Sequence, residues 1–280
     1  IEDEILASRH LKQILAEELG LKMEDIRITS ADTSMTPQAD LGAWGSRLTL
    51  MNGNAVIDAA RKIKEQIFGM VSVRFNLNVI HEMECKDGKV FPKGRPQRSM
   101  TFGEAVAMAQ KANRGEPLVA RGYYTPRDKG MVTPAFSFGA QVAEVEVDKE
   151  TGIVQVKKFW TAHDCGTVIN PKAVEGQLEG AIQMGLGYTL SEQFIMDGGK
   201  TLNTTFLDYK MPNAMDMPPS ETAHIDTYEP EGPMGAKEAG EGLAIPTAPA
   251  IAAAVHHATG YRCKDLPITP EKILNATKSR

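Results

Sequence analysis

Ile5, Leu11, Ile14, Leu15 and Leu19 fall on one face of a helical repeat, so residues 4–19 predict an amphipathic helix that stops at Gly20. Alternation at Ile26-Arg-Ile-Thr29 predicts a short strand. A polar, Gly-containing stretch from Asp32 to Arg47 follows, and then a helix from about Asn54 to Ile67. Thr101-Phe-Gly-Glu104 has the spacing of a capping box and starts a helix through about Asn113. From Ser137 the pattern changes period. Phe138 to Val147 alternates, Asp148-Lys-Glu-Thr-Gly152 turns and Ile153 to Phe159 returns, which predicts a hairpin. Asn170-Pro171 supplies an N-cap and a first-turn proline for a helix to about Ser191. A second hairpin is expected around Asp197-Gly-Gly199, a strand near Thr222–Tyr228, and a helix from about Pro246 to Thr259 closed by Gly260. Helices and antiparallel pairs interleave without a strict strand–helix–strand series, which predicts an α+β fold.

With 280 residues, 42% of them hydrophobic, the chain can bury one large core or two ordinary ones. Its formal net charge of −5 argues against nucleic acid or an anionic membrane as the main partner. No segment approaches the ~20 apolar residues of a membrane span, and no signal peptide is recognisable. Cys85, Cys165 and Cys263 are odd in number and far apart, which fits a reducing cytoplasm and no zinc or cluster motif. A first residue of Ile rather than Met fits a chain incompletely ordered at its start, a processed chain or a piece of a longer one.

Three segments carry candidate chemistry. Leu41-Gly-Ala43-Trp44-Gly45-Ser46-Arg47-Leu48 places small residues and a hydroxyl before a helix, an arrangement that can receive an anion, although it has neither P-loop nor dinucleotide-fold spacing. An ordinary lead into a helix is the plainer alternative. In the second segment, His163-Asp164-Cys165 suggests a triad or metal site. Neighbours on a strand point to opposite faces, so a strand end with a buried cysteine is the better reading. The helix beyond it carries Gly176, Gly180, Gly185 and Gly187, each costing up to ~1 kcal/mol against alanine, which close approach of a ligand or a neighbouring helix would offset. Gln177 near its start can hydrogen-bond a planar polar ligand.

The third segment, Gly232 to Ala244, packs four glycines, one lysine and two carboxylates into thirteen residues. A mobile surface loop is the plain reading, and a base facing a cavity is the sharper one. Lys237 reads as a surface cation and Glu238 as its ion-pair partner. Glu241, between Gly240 and Gly242, reads as the inward-reaching base. His256 and His257 read as surface or packing residues of the last long helix.

Together and in this order, the segments resemble the molybdenum hydroxylases: the xanthine dehydrogenase, aldehyde oxidoreductase and 4-hydroxybenzoyl-CoA reductase family. Ala16-Glu-Glu-Leu-Gly20, Asp25-Ile-Arg27, Gly45-Ser-Arg47, Asn52-Gly-Asn-Ala55, Asn170-Pro171, Glu175-Gly-Gln177-Leu-Glu-Gly180, Phe206-Leu-Asp-Tyr-Lys-Met-Pro212 and Gly235-Ala-Lys-Glu-Ala-Gly-Glu241 carry it. It covers essentially the whole chain, as the C-terminal half of a molybdopterin-binding subunit with subdomains 1–135 and 136–280. The resemblance implies that Ala43, Trp44, Gly45, Ser46, Arg47, Leu48 and Gln177 contact the cofactor and that Glu241 is the active-site base. No protein side chain would ligate molybdenum directly, since the pterin holds it. Hydroxylation of an aromatic, N-heterocyclic or aryl-CoA substrate with oxygen from water is implied, or its reductive reversal. Leu48 to Asn54 leans toward the hydroxybenzoyl-CoA reductase branch.

The implied cofactor is molybdenum–molybdopterin, with the cytosine dinucleotide form left open. Iron–sulfur clusters and FAD would sit on partner subunits, beside a polypeptide supplying the other half of the cofactor site. Trp44 is bulkier than the small residue expected beside the metal, and Glu238 stands where better-known oxidases carry a small residue. A non-catalytic scaffold in a larger redox complex, and a metal-free acid/base enzyme using Glu241 with Lys237, are the rival readings.

Overall fold

The computed structural model describes residues 2–29, 32, 34, 44–77, 79–127 and 135–278, with side chains from residue 9 onward. It divides into two compact units: residues 1–135 with 228–237, and residues 136–227 with 238–280.

The first unit contains helices α1 (Glu2–Leu19) and α2 (Leu48–Arg74), strands β1 (Met83–Lys86), β2 (Lys89–Pro92) and β3 (Met100–Thr101), and helix α3 (Phe102–Ala112). The three strands form an antiparallel sheet in sequence order. α1 ends as expected, with Gly20 at φ 62°. α3 opens on the expected capping box: Thr101 Oγ1 accepts from Glu104 N at 3.2 Å, and Glu104 Oε2 accepts from Thr101 N at 2.8 Å. Ile67, Phe68, Val71, Phe75, Met83, Val90, Ala105 and Ala109 bury together where α2, α3 and the sheet meet.

Two expectations fail here. Ile26–Thr29 forms no strand; a 3₁₀ turn at Met23–Asp25 leads into extended backbone, and Ile26 is buried in the core instead of pairing along a ladder. Alternation specifies an extended backbone, but a strand also needs a neighbour. α2 also starts six residues earlier than the sequence suggests. Its first turns hold Thr49, Asn52, Gly53 and Asn54, all modest or poor helix formers, so tertiary contacts carry them. Asn54 Nδ2 donates to Leu50 O at 2.9 Å and to Glu231 O at 2.8 Å. Gly53 faces Pro233 so closely that a Cβ would lie 2.7 Å from Pro233 Cγ.

The second unit contains strands β4 (Phe138–Val147) and β5 (Val154–Asp164), helix α4 (Pro171–Leu190), the short hairpin β6 (Met196–Asp197) and β7 (Lys200–Thr201), strand β8 (Ser220–His224), and helices α5 (Glu241–Ala244), α6 (Thr247–Thr259) and α7 (Pro270–Lys278). β5 is the central strand of its sheet, antiparallel to β4 and parallel to β8, and it pairs Gly139 and His224 on either side of His163. The first hairpin runs further than Phe159, to Asp164, and carries a bulge at Glu144/Val145. Asn170 caps α4 through Ala173 N at 3.2 Å, with Pro171 at the first helical position. Gly260 closes α6 at φ 72°.

Phe159, Ile182, Leu186, Ile251, Val255, Ile268 and Ile273 form the core of this unit. Gly185 lets α6 approach α4, since a Cβ there would lie 2.4 Å from Thr247 Cβ. The expected close approach by a helix therefore holds at Gly185. Gly176 and Gly180 face open space. Among the described residues no helix is long and apolar enough to cross a membrane.

Candidate functional site

In the first unit, the Trp44–Leu48 segment runs directly into α2. Ala43 lies outside the described residues. Gly45 and Ser46 both take left-handed backbone, at φ 62° and 52°. Such a conformation is ordinary for glycine and costs serine on the order of 1 kcal/mol, which marks Ser46 as held there by its surroundings. Arg47 is only 8% exposed, stands at the N-cap of α2, and places its guanidinium 5.2 Å from the ring centroid of half-exposed Trp44. The N-terminus of this long helix has no side-chain cap, and its first turn has no acidic residue to offset the positive end of the helix dipole.

The Gly-rich segment is buried rather than mobile along its first part: Pro233, Gly235, Ala236 and Lys237 are all buried. Pro233–Gly235 forms a 3₁₀ turn with Met234 at φ 54°. Lys237, at 8% exposure, is not the surface cation expected.

The second unit holds Gln177, Glu238 and Glu241. Glu241 is the first residue of α5 and is exposed, flanked by Gly240 and Gly242 as the sequence indicates. Gln177, on the first turns of α4, donates from Nε2 to Ala239 O at 3.3 Å, two residues before Glu241. The structure thus brings Gln177 to the loop that carries the candidate base.

Glu238 departs from expectation. It is not paired on the surface: its side chain is 18% exposed and sits against β4 and β5. Ser137 Oγ donates to Oε1 in a very short hydrogen bond, and Gly240 N donates to Oε2 at 2.9 Å. Nε2 of His163, a residue 2% exposed, lies 3.3 Å from Oε1. Burial alone would raise the Glu238 carboxyl. The His163 imidazole, the Ser137 hydroxyl and the Gly240 amide outweigh it and hold the group at about 2.

Sequence reasoning passed over this cluster because its members lie up to 101 residues apart and meet only once the β4–β5 register is set. The usable signal was a carboxylate within the small-residue run Gly235-Ala-Lys-Glu-Ala-Gly240, together with a histidine at a strand end. His163, Asp164 and Cys165 are all buried and diverge as expected for a strand end. Asp164 Oδ1 accepts from Gly166 N at 3.0 Å and Thr227 Oγ1 at 2.6 Å. Burial raises the Cys165 thiol to about 11, which keeps it protonated at neutral pH and unsuited to nucleophilic work.

A carboxyl held below its unfolded value stabilises the fold fully above that value and loses the contribution as pH falls through the folded one. For Glu238 the window runs from its ordinary 4.5 down to about 2. Acid unfolding of the whole chain, followed by circular dichroism, is expected to steepen across that window. The Glu238→Gln variant should lose stability less steeply there; equal slopes would show that the cluster contributes nothing.

Elsewhere in the first unit, an open cleft of about 650 Å³ is lined by Arg74, Phe75, Arg98, Ser99, Met100, Glu104 and Met108, and holds none of the candidate residues. Among the described residues no group of three or more His, Cys, Asp or Glu side chains is placed to hold a metal ion.

Residues 8–218 match the molybdopterin cofactor-binding domain family, and the chain belongs to it. It is 33% identical over 266 residues to the xanthine dehydrogenase molybdenum-binding subunit of Escherichia coli O157:H7, covering 93% of this chain and 34% of that one. To the carbon monoxide dehydrogenase large chain of Hydrogenophaga pseudoflava it is 32% identical over 273 residues, covering 95% of this chain and 33% of that one. The structure of quinoline 2-oxidoreductase from Pseudomonas putida 86 superposes with a TM-score of 0.88 at 32% identity, over 98% of this chain and 35% of that one. The chain thus spans about a third of the length of these relatives. Both the α+β fold and the membership of the molybdenum hydroxylases expected from the sequence hold.

Proposed function

We propose that the chain forms one wall of a molybdenum–molybdopterin site in an oxidoreductase that hydroxylates, or reductively dehydroxylates, an aromatic, N-heterocyclic or aryl-CoA substrate. The observation that carries this reading is the presentation of Glu241. It is an exposed carboxylate on the first turn of α5, between two glycines, with the preceding loop tied to Gln177. Bound molybdopterin would supply the redox centre at which the substrate carbon gains or loses oxygen. Glu241 accepts the proton of the water-derived nucleophile as general base. Gln177 would offer an amide to the cofactor, and Ala43 with the Trp44–Leu48 segment would offer it backbone amides. The residues fit such a group: Gly45 and Ser46 form a left-handed turn, Arg47 brings a cation to the start of α2, and the first turn of α2 carries no acidic residue. No nucleotide form of the pterin is favoured over another, cytosine dinucleotide included.

The same reading assigns the rest of the cofactor enclosure to further polypeptide, with iron–sulfur and flavin subunits completing a cytoplasmic complex. Phe194, Phe206, Leu207, Met211 and Met215, all exposed within residues 194–215, are available to such a partner. The names of the relatives, a molybdenum-binding subunit and a large chain, point the same way.

Elemental and pterin analysis of the complex purified natively tests the proposal. Stoichiometric molybdenum and pterin with co-purifying subunits is the expected result. A complete assembly holding neither would overturn it in favour of a scaffold or a metal-free acid/base enzyme.

A further inference from the structure

The Glu238 carboxylate reaches both neighbours of Glu241. On one side Oε2 accepts from Gly240 N at 2.9 Å. On the other, Gly242 leaves the space that Oε1 fills: a Cβ at Gly242 would lie 2.2 Å from Oε1 and 3.2 Å from Ser137 Oγ. The far side of the carboxylate is held by Ser137, just before β4, and faces His163 at the end of β5 at 3.3 Å. His163 belongs to the sheet and Ser137 leads directly into it. The carboxylate therefore spans from the sheet to the two residues that bracket the candidate base.

This geometry answers a physical difficulty. A Gly-Glu-Gly turn has more backbone freedom than any other context for a glutamate, and a general base that wanders loses rate steeply. Two further ties limit the turn from other elements. Gln177 Nε2 donates to Ala239 O at 3.3 Å, and Gln141 Nε2 donates to Leu243 O at 3.1 Å. Those fix the ends of the segment, while only Glu238 among the described contacts touches Gly240 and Gly242 together.

We propose that Glu238 is a positioning residue that clamps Gly240 and Gly242 to the β4–β5 sheet and so sets the direction of Glu241. The inference rests on the reading of Glu241 as the base. The clamp itself is a property of the turn and can be measured without turnover. It also gives a physical role to a carboxylate standing where a small residue was expected.

A double-mutant cycle on the natively purified complex tests it, with amide hydrogen exchange at residues 240–243, kcat, KM and molybdenum content as readouts. Glu238→Ala should speed exchange at the Gly240 amide by about tenfold or more and lower kcat by a similar factor, with KM and molybdenum content near wild type. Glu238→Gln, which keeps the shape and an acceptor oxygen, should recover part of both. Gly242→Ala, which drives a methyl into the carboxylate, should match Glu238→Ala. The double variant should be no worse than Glu238→Ala alone, because the clash disappears with the carboxylate.

Wild-type exchange at residues 240–243 in Glu238→Ala, or fully additive losses in the double variant, would overturn the clamp. If Glu238→Ala does not assemble, Glu238→Gln and Gly242→Ala carry the same comparison: normal exchange at residues 240–243 in both would overturn it equally. If Glu241→Gln turns over normally while Glu238→Ala still loses exchange protection, the base assignment fails and the clamp stands.

Discussion

Glu241→Gln is expected to lower kcat of the assembled, metal-loaded complex by about 10²–10⁴-fold, the range over which a positioned general base contributes. The amide has nearly the same shape and cannot accept the proton. Glu241 is exposed and stands at the start of a short helix, so the substitution disturbs no packed core. Molybdenum and pterin content should therefore match wild type, and KM should change little. A variant that retains wild-type kcat would remove Glu241 from catalysis. One that loses molybdenum along with kcat would instead assign Glu241 to cofactor retention. The two losses are separated by measuring turnover per molybdenum rather than per protein.

Phe159→Ala is expected to have the largest effect on stability, about 3–5 kcal/mol, from the lost transfer of an aromatic side chain and the cavity it leaves. Phe159 is fully buried on the central strand of the second unit, packed with Ile182 and Leu186 of α4 and Ile251 and Val255 of α6. Helices on that face cannot collapse freely onto the void, because Gly185 already lies at the closest approach of α4 to Thr247 on α6. Whole domains are commonly stable by only ~5–15 kcal/mol. Denaturant unfolding of the chain should therefore show a lowered midpoint, and a change under 1 kcal/mol would place Phe159 in a more yielding site than its burial indicates.

Much of the second unit was legible because its signals are local. The β4–β5 hairpin announces itself by alternation and a Gly152 turn, α4 by Asn170-Pro171, and α6 by its closing Gly260. The same holds for the capping box of α3. What the sequence hides is whatever depends on a distant partner. Gly53 and Asn54 look like a break before a helix, yet Pro233 and Glu231 make them helical. Ile26–Thr29 looks like a strand and lacks the neighbour that would make it one.

The candidate site divides the same way. Glu241 is conspicuous because its flanking glycines are adjacent in the chain. Glu238 is not, because the imidazole and the hydroxyl that hold its carboxylate come from the two ends of a hairpin. Charge placed next in sequence suggested Lys237 as its partner, whereas Ser137, His163 and Gly240 reach it only through burial and strand register.

The return of residues 228–237 to the first unit has a consequence for how such a protein can be rearranged over evolutionary time. Pro233 fills the hollow over Gly53, and Glu231 offers its carbonyl to Asn54, so the first unit borrows its last ten residues from a stretch encoded beyond most of the second. A gene split or fusion falling at residue 135 would strand that plug on the wrong side of the break. Recombination that shuffles either unit as a cassette is thereby disfavoured, and the two are inherited as one block.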